Sequence, residues 1–514
     1  MAAVPASPTV DPTDDEAAPT AGVVGWFTLE RTAMATMLAL AFAIAMRPAT
    51  DNDTWWHLRT GQRFVALHHG LGKDPFSHVS TITRPPSDWL GQVGMYLTWK
   101  VAGFNGVAVG VAVLATLGCA LVAASTRGPG LLRAAMVGLT AATSSVFWSA
   151  RPQMVSFFGS CLVVWVLARA RRGVLPPWWL ALAFVVWSNT HLGWFYGLAV
   201  LWAAVAGVVA DRLLDRRWAG RPAAPDGWPR GPSGEGVFRR LVGVSVACTV
   251  ACFVNPVGWN GPHLILTQIS VATGYVEESQ PPSLHDAKDL PFFLLLLITA
   301  AVVVLCRRRV RLAELVPLLM LTAVALTAVR TVTLFAAAAA PFVSWHLADR
   351  WAERRTTDDR PARSGTAPGF NLMLLGAIAV FAAVLSVQRV GDAATARSLE
   401  EYPVASTAWV RKHRPPGPLF NTFNWGGWFI WHLPDYPVSI DGRAELYVTP
   451  LQTYGALEDG IGVPAVLDRQ RDNLAVVPTA SPLDRAIAHD PAWHRVHRDS
   501  VATVFVRTHP LAPR

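Results

Sequence analysis

Long apolar stretches alternate with short polar segments through the first three quarters of the chain. Eleven of these stretches predict membrane-spanning helices, although several have apolar centres shorter than the roughly 20 residues that cross a bilayer. Such helices must recruit flanking residues or be shielded by their neighbours. The predicted centres are Ala33–Met46, Phe104–Ala124, Ala134–Trp148, Met154–Ala168, Trp178–Trp187, Trp194–Ala210, Leu241–Val254, Leu290–Cys306, Leu312–Val329, Val332–Leu347 and Phe370–Val387.

Arginines concentrate in alternate segments between these stretches. If the N-terminus is cytoplasmic, five arginine-rich segments fall on one side, and the positive-inside rule assigns that side to the cytoplasm. They are 127–133, 169–172, 211–240, 307–311 and 350–363. The extracytoplasmic side receives a long first loop (48–103), the turns near 151 and 188–193, the loop 255–289 and the C-terminal segment. The few cations on that side need another explanation; the notable ones are Arg59, Arg63, Arg151 and Arg330.

Three parts follow from this pattern. Residues 1–28 predict a disordered cytoplasmic tail, because 1–25 are rich in Ala, Pro, Thr and Asp and lack the apolar core of a signal peptide. Residues 29–389 predict a transmembrane domain. Residues 390–514 predict a small extracytoplasmic α/β domain, with β-like runs at 436–441, 474–478 and 502–507 and an amphipathic stretch near 482–489. The predicted fold class is mainly α: a polytopic membrane helical bundle of about 11 spans.

The composition agrees with a membrane protein. Of 514 residues, 52% are hydrophobic and 15% are charged, whereas a soluble protein would carry roughly 25% charged residues. The net charge of +9 resides in short loops and forms no basic stripe with interleaved aromatic residues. This argues against nucleic acid as a partner and leaves membrane lipids. The five cysteines lie within apolar runs and show neither disulfide nor zinc spacing.

Two amphipathic helices are predicted in the first outer loop. Asp53 is a natural N-cap for a helix from Thr54 to about His69, which places Trp55 and Arg59 on one face. A second helix, Asp88–Lys100, precedes the next span. Tryptophan is common at the membrane–water interface, so both helices are expected to lie on the outer membrane surface.

The stretch DNDTWWHLRTGQ (51–62) places two carboxylates, two tryptophans, a histidine and an arginine next to the first membrane helix. Six further motifs accompany it: DPFS (74–77), DWLGQV (88–93), RPQM (151–154), NPVG (255–258), FNTFNWGGWFIWHLP (420–434) and IDGRAELY (440–447). Together they are similar to a group of bacterial membrane proteins assigned to the GT-C glycosyltransferase superfamily. The resemblance covers most of residues 31–510. It implies a polyprenyl-phosphate sugar donor, used on the outer face of the bacterial plasma membrane.

The residue types suit that chemistry. An acceptor hydroxyl must lose a proton as it attacks the anomeric carbon, and a carboxylate can serve as the general base. The resemblance makes Asp51 and Asp53 the catalytic candidates, because the superfamily's base lies in the first outer loop. The alternative is that Asp53 only caps a helix and Asp51 is solvated. The same pair, with phosphate oxygens, would suit Mg²⁺ or Mn²⁺, and superfamily members differ in their use of metal.

Ten further residues are predicted to bind substrate. Arg330 interrupts an apolar run, and an intramembrane cation is a functional-site hypothesis whose expected partner is the lipid phosphate or an acid such as Asp51. The alternatives are that tryptophans anchor the interface, arginines snorkel, and Asp441 forms a structural ion pair with Arg443. The ten residues are Trp55, Trp56, Arg59, Arg151, His191, Arg330, Asn424, Asp441, Arg443 and Glu445.

The predicted function is an integral-membrane glycosyltransferase that acts on an extracytoplasmic glycan, lipid or protein acceptor. A transporter or flippase of lipid-linked sugars is an alternative, but it would favour internal repeats, and none stands out in the sequence. A non-catalytic protein of cell-envelope assembly is a second alternative. It would leave the cluster of acids, tryptophans and arginine without a reason.

Overall fold

A computed structural model describes residues 27–67, 72–80, 87–217, 228, 231–267, 277–306, 310–354, 368–447 and 454–512. Most of these residues are helical. The main helices are α1 Leu29–Ala45, α2 Asn52–Leu67, α3 Trp89–Ser125, α4 Gly130–Ser144, α5 Met154–Arg171, α6 Trp179–Ser188, α7 Trp194–Arg217, α8 Gly231–Ala251, α9 Leu290–Leu305, α10 Leu312–Ala325, α11 Val332–Arg354, α12 Pro368–Val390, α13 Asp392–Ser398, α14 Val404–His413, α15 Gly426–His432, α16 Val463–Gln470 and α17 Pro482–Ala488.

Each of the eleven predicted apolar centres falls on one of these helices. Within the described ranges, six helical segments are long and apolar enough to cross a membrane: Trp89–Ser125, Met154–Arg171, Trp194–Arg217, Ala287–Leu305, Val329–Ala352 and Pro368–Val390. Helices α6 and α10 are apolar but shorter. A polytopic helical membrane protein is therefore supported. The number of eleven crossings and the sidedness of the termini stay predictions.

The outer surface of the bundle is apolar. Leu297, Val380 and Val387 point outward and are 68%, 65% and 70% exposed, as a lipid-facing surface requires. Inside the bundle, small residues allow close packing: the Gly207 position lies against the backbone at Leu312, and Gly118 lies against the Phe157 ring. Without a hydrophobic driving force between helices in lipid, such close contacts are what hold a bundle together.

The two surface helices of the first loop are present with altered boundaries. Helix α2 begins at Asn52, so Asp53 lies in its first turn and the predicted N-cap role of Asp53 was wrong. Asp51 takes that role: its Oδ1 accepts from the Asp53 N–H at 3.0 Å. The second surface helix is continuous with a membrane span in α3, and Gly103 separates the two at φ 62°, a conformation that favours glycine.

The C-terminal segment forms a four-stranded sheet with helices. The strands are β1 Leu419–Asn421, β2 Leu474–Pro478, β3 Trp493–Arg498 and β4 Ala502–Arg507, in the order β1-β2-β4-β3. β1 is parallel to β2, and the other pairs are antiparallel. The predicted runs at 474–478 and 502–507 are strands with those bounds. The run at 436–441 is not a strand: it makes only isolated bridges, at Val438.

This C-terminal unit packs directly on α2. The Trp55 ring lies 5.1 Å from the Trp428 ring and 6.0 Å from the Tyr402 ring. The Tyr402 hydroxyl donates to the Thr50 carbonyl at 2.7 Å and lies 2.6 Å from Asn52 Oδ1. Gly427 packs against the Asn52 carbonyl so closely that a side chain there would overlap it. The start of α2 is therefore held between the helical bundle and the C-terminal unit.

Candidate active site

Asp51 and Arg151 form a two-pronged ion pair between the start of α2 and the turn before α5. Arg151 Nε donates to Asp51 Oδ1 at 2.6 Å, and Nη2 donates to Oδ2 at 2.9 Å. The Thr54 hydroxyl supports this contact by donating to the Ala150 carbonyl at 2.8 Å. Both Asp51 oxygens thus face the guanidinium, which is the strongest geometry for such a pair.

Two more carboxylates reach the same guanidinium. Arg151 Nη1 lies 3.1 Å from Asp53 Oδ2 and 3.1 Å from Glu278 Oε1. Burial lowers the pKa of Arg151, but the three surrounding carboxylates more than offset this and hold it well above its ordinary value. Three acids against one guanidinium leave the cluster short of positive charge. This shortage favours protonation of the acid that is hardest to solvate.

Asp53 is that acid. Burial raises the pKa of Asp53 to about 6; the Arg151 cation lowers it in part, and the Asp51 carboxylate raises it. Asp53 Oδ1 accepts a hydrogen bond from Trp56 Nε1 at 2.9 Å. A carboxyl group with a pKa near neutrality, set in a cavity between a cation and a tryptophan, is a candidate general base.

Asp53 lines a cavity of about 220 Å³ at one end of the bundle. Its walls come from α2, the turn before α5, the segment 191–196, the 3₁₀ turns Glu277–Ser279 and Val329–Thr331, and residues 442–444 of the C-terminal unit. Arg151, Glu278, His191 and Arg330 all line it. Asp51 lies behind Arg151 and does not. The two predicted catalytic acids therefore have different positions.

Arg330 lines this cavity from the 3₁₀ turn just before α11. The Val329 N–H donates to the Gln280 carbonyl at 2.9 Å and joins the two 3₁₀ turns that carry Glu278 and Arg330. Within the described ranges, Arg330 has neither a hydrogen-bond partner nor a carboxylate at ion-pair distance. Asp51, its expected acidic partner, is bound to Arg151 instead. An uncompensated guanidinium in a cavity is suited to binding an anion.

His191 adds a neutral hydrogen-bond donor. Its Nδ1 accepts from the Gly193 N–H at 3.0 Å and lies 2.7 Å from Ser156 Oγ, which accepts from Trp187 Nε1. The network assigns the ring hydrogen to Nε2. Burial, then Arg330 and Arg151, lower the pKa of His191 to about 4, so the ring is neutral at pH 7. Its Nε2–H can donate a hydrogen bond to an anion, and the ring does not take up a second proton at this pH.

Arg443 joins the cavity from the C-terminal unit. It forms a buried two-pronged pair with Asp441 at 2.8 and 2.6 Å, and its Nη1 donates to Asp74 Oδ1 at 2.8 Å. The Tyr447 hydroxyl completes the cluster by donating to Asp441 Oδ2 at 2.6 Å. Burial raises the pKa of Asp441, but Arg443 and these hydrogen bonds bring it below its ordinary value. The network fixes the 441–447 loop against the first loop. Asp441 and Arg443 thus form an ion pair, as the structural alternative for these two residues expects.

The structure brings some predicted residues together and leaves others apart. Trp55 is buried in aromatic packing, 2% exposed, and lies outside the lining of the Asp53 cavity. Arg59 lines a second cavity, on another part of α2. Asn424 is exposed, and its Oδ1 accepts from Asn52 Nδ2 at 3.3 Å. The side chain of Glu445 lies outside the described residues.

Solved structures of an oligosaccharyltransferase are among those with a similar fold. Archaeal oligosaccharyltransferase AglB from Archaeoglobus fulgidus, in complex with an inhibitory peptide and a dolichol-phosphate, matches at TM-score 0.53 and 12% identity, over 86% of this chain and 69% of that one. The same oligosaccharyltransferase, tethered to an acceptor peptide containing the NVT sequon, matches at 0.53 and 12%, over 88% and 70%. ArnT from Cupriavidus metallidurans bound to undecaprenyl phosphate matches at 0.49 and 15%, over 96% and 100%. No family model and no curated protein matches the sequence.

The chain has a fold similar to that of AglB. The resemblance drawn from the motifs is supported at the level of fold alone. At 12% identity, the likeness to AglB does not assign an activity, so the reaction must be argued from the residues of the cavity.

Asp51 and Asp53 do not fit the predicted divalent metal site. Their facing oxygens, with those of Glu278, bond to the Arg151 guanidinium, which lies between the three carboxylates. Among the described residues, no group of three or more acidic, histidine or cysteine side chains has an arrangement that could hold a metal ion. Positive charge at this point of the cavity comes from arginine.

Glu278 and Gly442 are among the cavity residues that were not predicted from the sequence. Glu278 comes from the loop 255–289, in which nothing but the acidic pair Glu277–Glu278 marks it. Gly442 lies directly against the Asp53 carboxylate, and a methyl group at 442 would overlap Asp53 Oδ1. The motif IDGRAELY contains a glycine between Asp441 and Arg443, and a glycine at such a place can indicate a close approach by another group.

Proposed function

We propose that this chain is an integral-membrane glycosyltransferase that moves a sugar from a polyprenyl-phosphate donor to an extracytoplasmic glycan, lipid or protein. One observation carries the proposal: Asp53, a carboxyl group with a pKa raised to about 6, and Arg330, a guanidinium with no carboxylate partner in the described ranges, line the same cavity. A base and an anion ligand are the two groups that sugar transfer from a lipid phosphate requires.

Asp53 serves as the general base in this proposal, and Asp51 positions Arg151. Asp53 reaches the cavity and has one oxygen on Trp56 and the other on Arg151. Asp51 is not among the residues that line this cavity, and both of its oxygens accept from Arg151. Its role is to fix the guanidinium that partly neutralises Asp53. The choice between the two acids, left open by their sequence positions, follows from this difference in access.

Arg330 and His191 receive the leaving group. The bond between the anomeric carbon and the phosphate oxygen breaks, and the oxygen keeps the electron pair. The developing charge is stabilised by the guanidinium of Arg330 and by the neutral ring donor of His191. The acceptor oxygen forms the new bond to the anomeric carbon, and its proton passes to Asp53. The products are the glycoside, the free lipid phosphate and a protonated Asp53.

The comparisons support the class of donor. AglB, which has the same fold, was crystallised with a dolichol-phosphate, a polyprenol-type lipid phosphate of the kind proposed here. The identity of the sugar and of the acceptor is set by neither the cavity residues nor this likeness.

The test is a donor screen. Purified full-length protein in detergent is incubated with membrane extract as the acceptor source and a panel of radiolabelled polyprenyl-phosphate sugars, and label transfer is measured. Wild-type protein should transfer label from at least one donor, and Asp53→Asn should lose this transfer. Equal transfer by Asp53→Asn, or movement of intact donor across sealed vesicles without any covalent transfer, would overturn the proposal.

A further inference from the structure

A second cavity lies beside the C-terminal part of α2, apart from the candidate active site. It has a volume of about 860 Å³, within the size range of ligand sites. Among the described residues, none lines both cavities. Asp53 and Arg59 are six residues apart on α2, about 9 Å along the helix axis. The aromatic packing of Trp55 against Trp428 and His432 lies between the two.

Three guanidiniums line this second cavity. Arg59 comes from α2, and Arg411 and Arg414 come from the end of α14. Arg59 Nη1 donates to Gln62 Oε1 at 2.6 Å, and Arg411 Nη2 donates to the His432 carbonyl at 3.1 Å. Within the described ranges, none of the three has a carboxylate at ion-pair distance. Asp435 is the acid among the lining residues, so the cavity carries a surplus of positive charge.

Aromatic residues form another part of the wall. Trp99 and Trp431 pack edge to face with their ring centroids 4.9 Å apart, and Tyr436 lies near them among the lining residues. Trp99 belongs to the surface part of α3, which continues as a membrane span after Gly103. On the same stretch, Leu97 is 45% exposed and Val101 is 87% exposed. These two side chains lie one turn apart, on a face that only lipid would cover favourably.

We infer that this second cavity binds the phosphate of an anionic phospholipid headgroup. Arginine forks match phosphate oxygens, and basic pockets beside membrane helices are suited to such headgroups. The cavity has three guanidiniums and one carboxylate. The cationic group of a zwitterionic lipid would be repelled by this positive charge, so an anionic headgroup is preferred. Trp99 lies on a helix whose other face exposes Leu97 and Val101 and which continues as a membrane span, so a lipid is favoured over a soluble phosphate. This inference does not depend on the proposed transferase activity.

The experiment measures lipid binding. Full-length protein, freed of copurifying lipid in detergent, is titrated with phosphatidylglycerol, and bound lipid is counted by native mass spectrometry. Phosphatidylcholine and soluble glycerol 3-phosphate are the comparison ligands. The test variant is Arg411→Gln with Arg414→Asn; asparagine suits position 414 because its φ is +45°. The control is Arg495→Gln, an exposed arginine of β3 remote from the cavity lining.

Wild-type protein and the control should bind phosphatidylglycerol alike, and the double variant should bind it about tenfold or more weakly. A variant with Arg411→Lys and Arg414→Lys keeps the charges and should recover part of the binding. The single variant Arg414→Asn changes an exposed side chain and tests the charge without disturbing the fold. Wild-type affinity in the double variant, or equal binding of phosphatidylcholine, would overturn the inference. Equal binding of glycerol 3-phosphate would overturn the lipid assignment.

Discussion

The Asp53 carboxyl group should titrate in the rate of sugar transfer near pH 6. A general base acts only when deprotonated, so activity must fall as the pH drops through the pKa of that group. Burial raises the pKa of Asp53 to about 6. One pH unit below that value, about one tenth of the carboxyl groups are ionised. The apparent kcat/KM should therefore be nearly level above pH 7 and fall about tenfold between pH 7 and pH 5.

Two substitutions separate the neighbouring acids. Asp53→Asn removes the base and should lower kcat about 10²- to 10⁴-fold, with the pH dependence near 6 lost. Asp51→Asn removes the negative charge that raises the pKa of Asp53 and leaves Arg151 more available to it. The midpoint of the remaining activity should therefore move to lower pH. Asp459→Asn, an exposed acid of the C-terminal unit, is the matched control and should behave as wild type.

The assay is label transfer from the donor found in the screen, measured from pH 5 to pH 8 at constant ionic strength. Melting temperatures in detergent check that each variant is folded. A wild-type rate that is flat across pH 6 would refute the assignment of Asp53. An Asp51→Asn profile whose midpoint moves to higher pH would refute the proposed effect of the Asp51 charge on the pKa of Asp53.

Three further changes test other parts of the site. Arg330→Gln should raise KM for the donor and lower kcat/KM about tenfold or more, since a charged contact to phosphate is lost; unchanged donor kinetics would remove Arg330 from the mechanism. Gly442→Ala places a methyl group against Asp53 Oδ1, so kcat should fall about 100-fold in a folded protein, and full activity would contradict the close approach. Arg443→Ala leaves Asp441 buried without its cation and should cost about 3–5 kcal/mol of unfolding free energy, measured by denaturation in detergent. A melting temperature equal to wild type would argue against that network.

Much of the helical architecture could be predicted because it depends on local pattern. Apolar length located a helix at each of the eleven expected places, and the strands at 474–478 and 502–507 were marked by their β-branched residues. Local pattern misplaced the boundary of α2, because the capping group is Asp51 and not Asp53. The two acids are two residues apart, and either side chain could cap a helix here. Asp51 is held at the cap by a further contact, to Arg151, a partner 100 residues away.

The composition of the cavity depends on contacts between distant segments, which a single sequence does not reveal. Trp55 and Arg59 were expected on one face, near the substrate, from their helical spacing. The C-terminal unit covers Trp55 and encloses Arg59 in a second cavity. Glu278 reaches Arg151 from 127 residues away, and no local feature announces that contact. Residue type identified the candidate groups, but only packing decided which of them meet.

The C-terminal unit is part of the proposed catalytic site. Gly442 lies against the Asp53 carboxylate, Tyr402 donates to the Thr50 carbonyl, and Gly427 packs against the Asn52 carbonyl. The pKa of Asp53 is raised first by burial, and part of that burial comes from residues 442–444, which line the same cavity. If the unit moved away, water would reach Asp53 and its pKa would fall towards the ordinary value for aspartate. The strength of the base is therefore linked to the docking of a segment that lies almost 400 residues further along the chain.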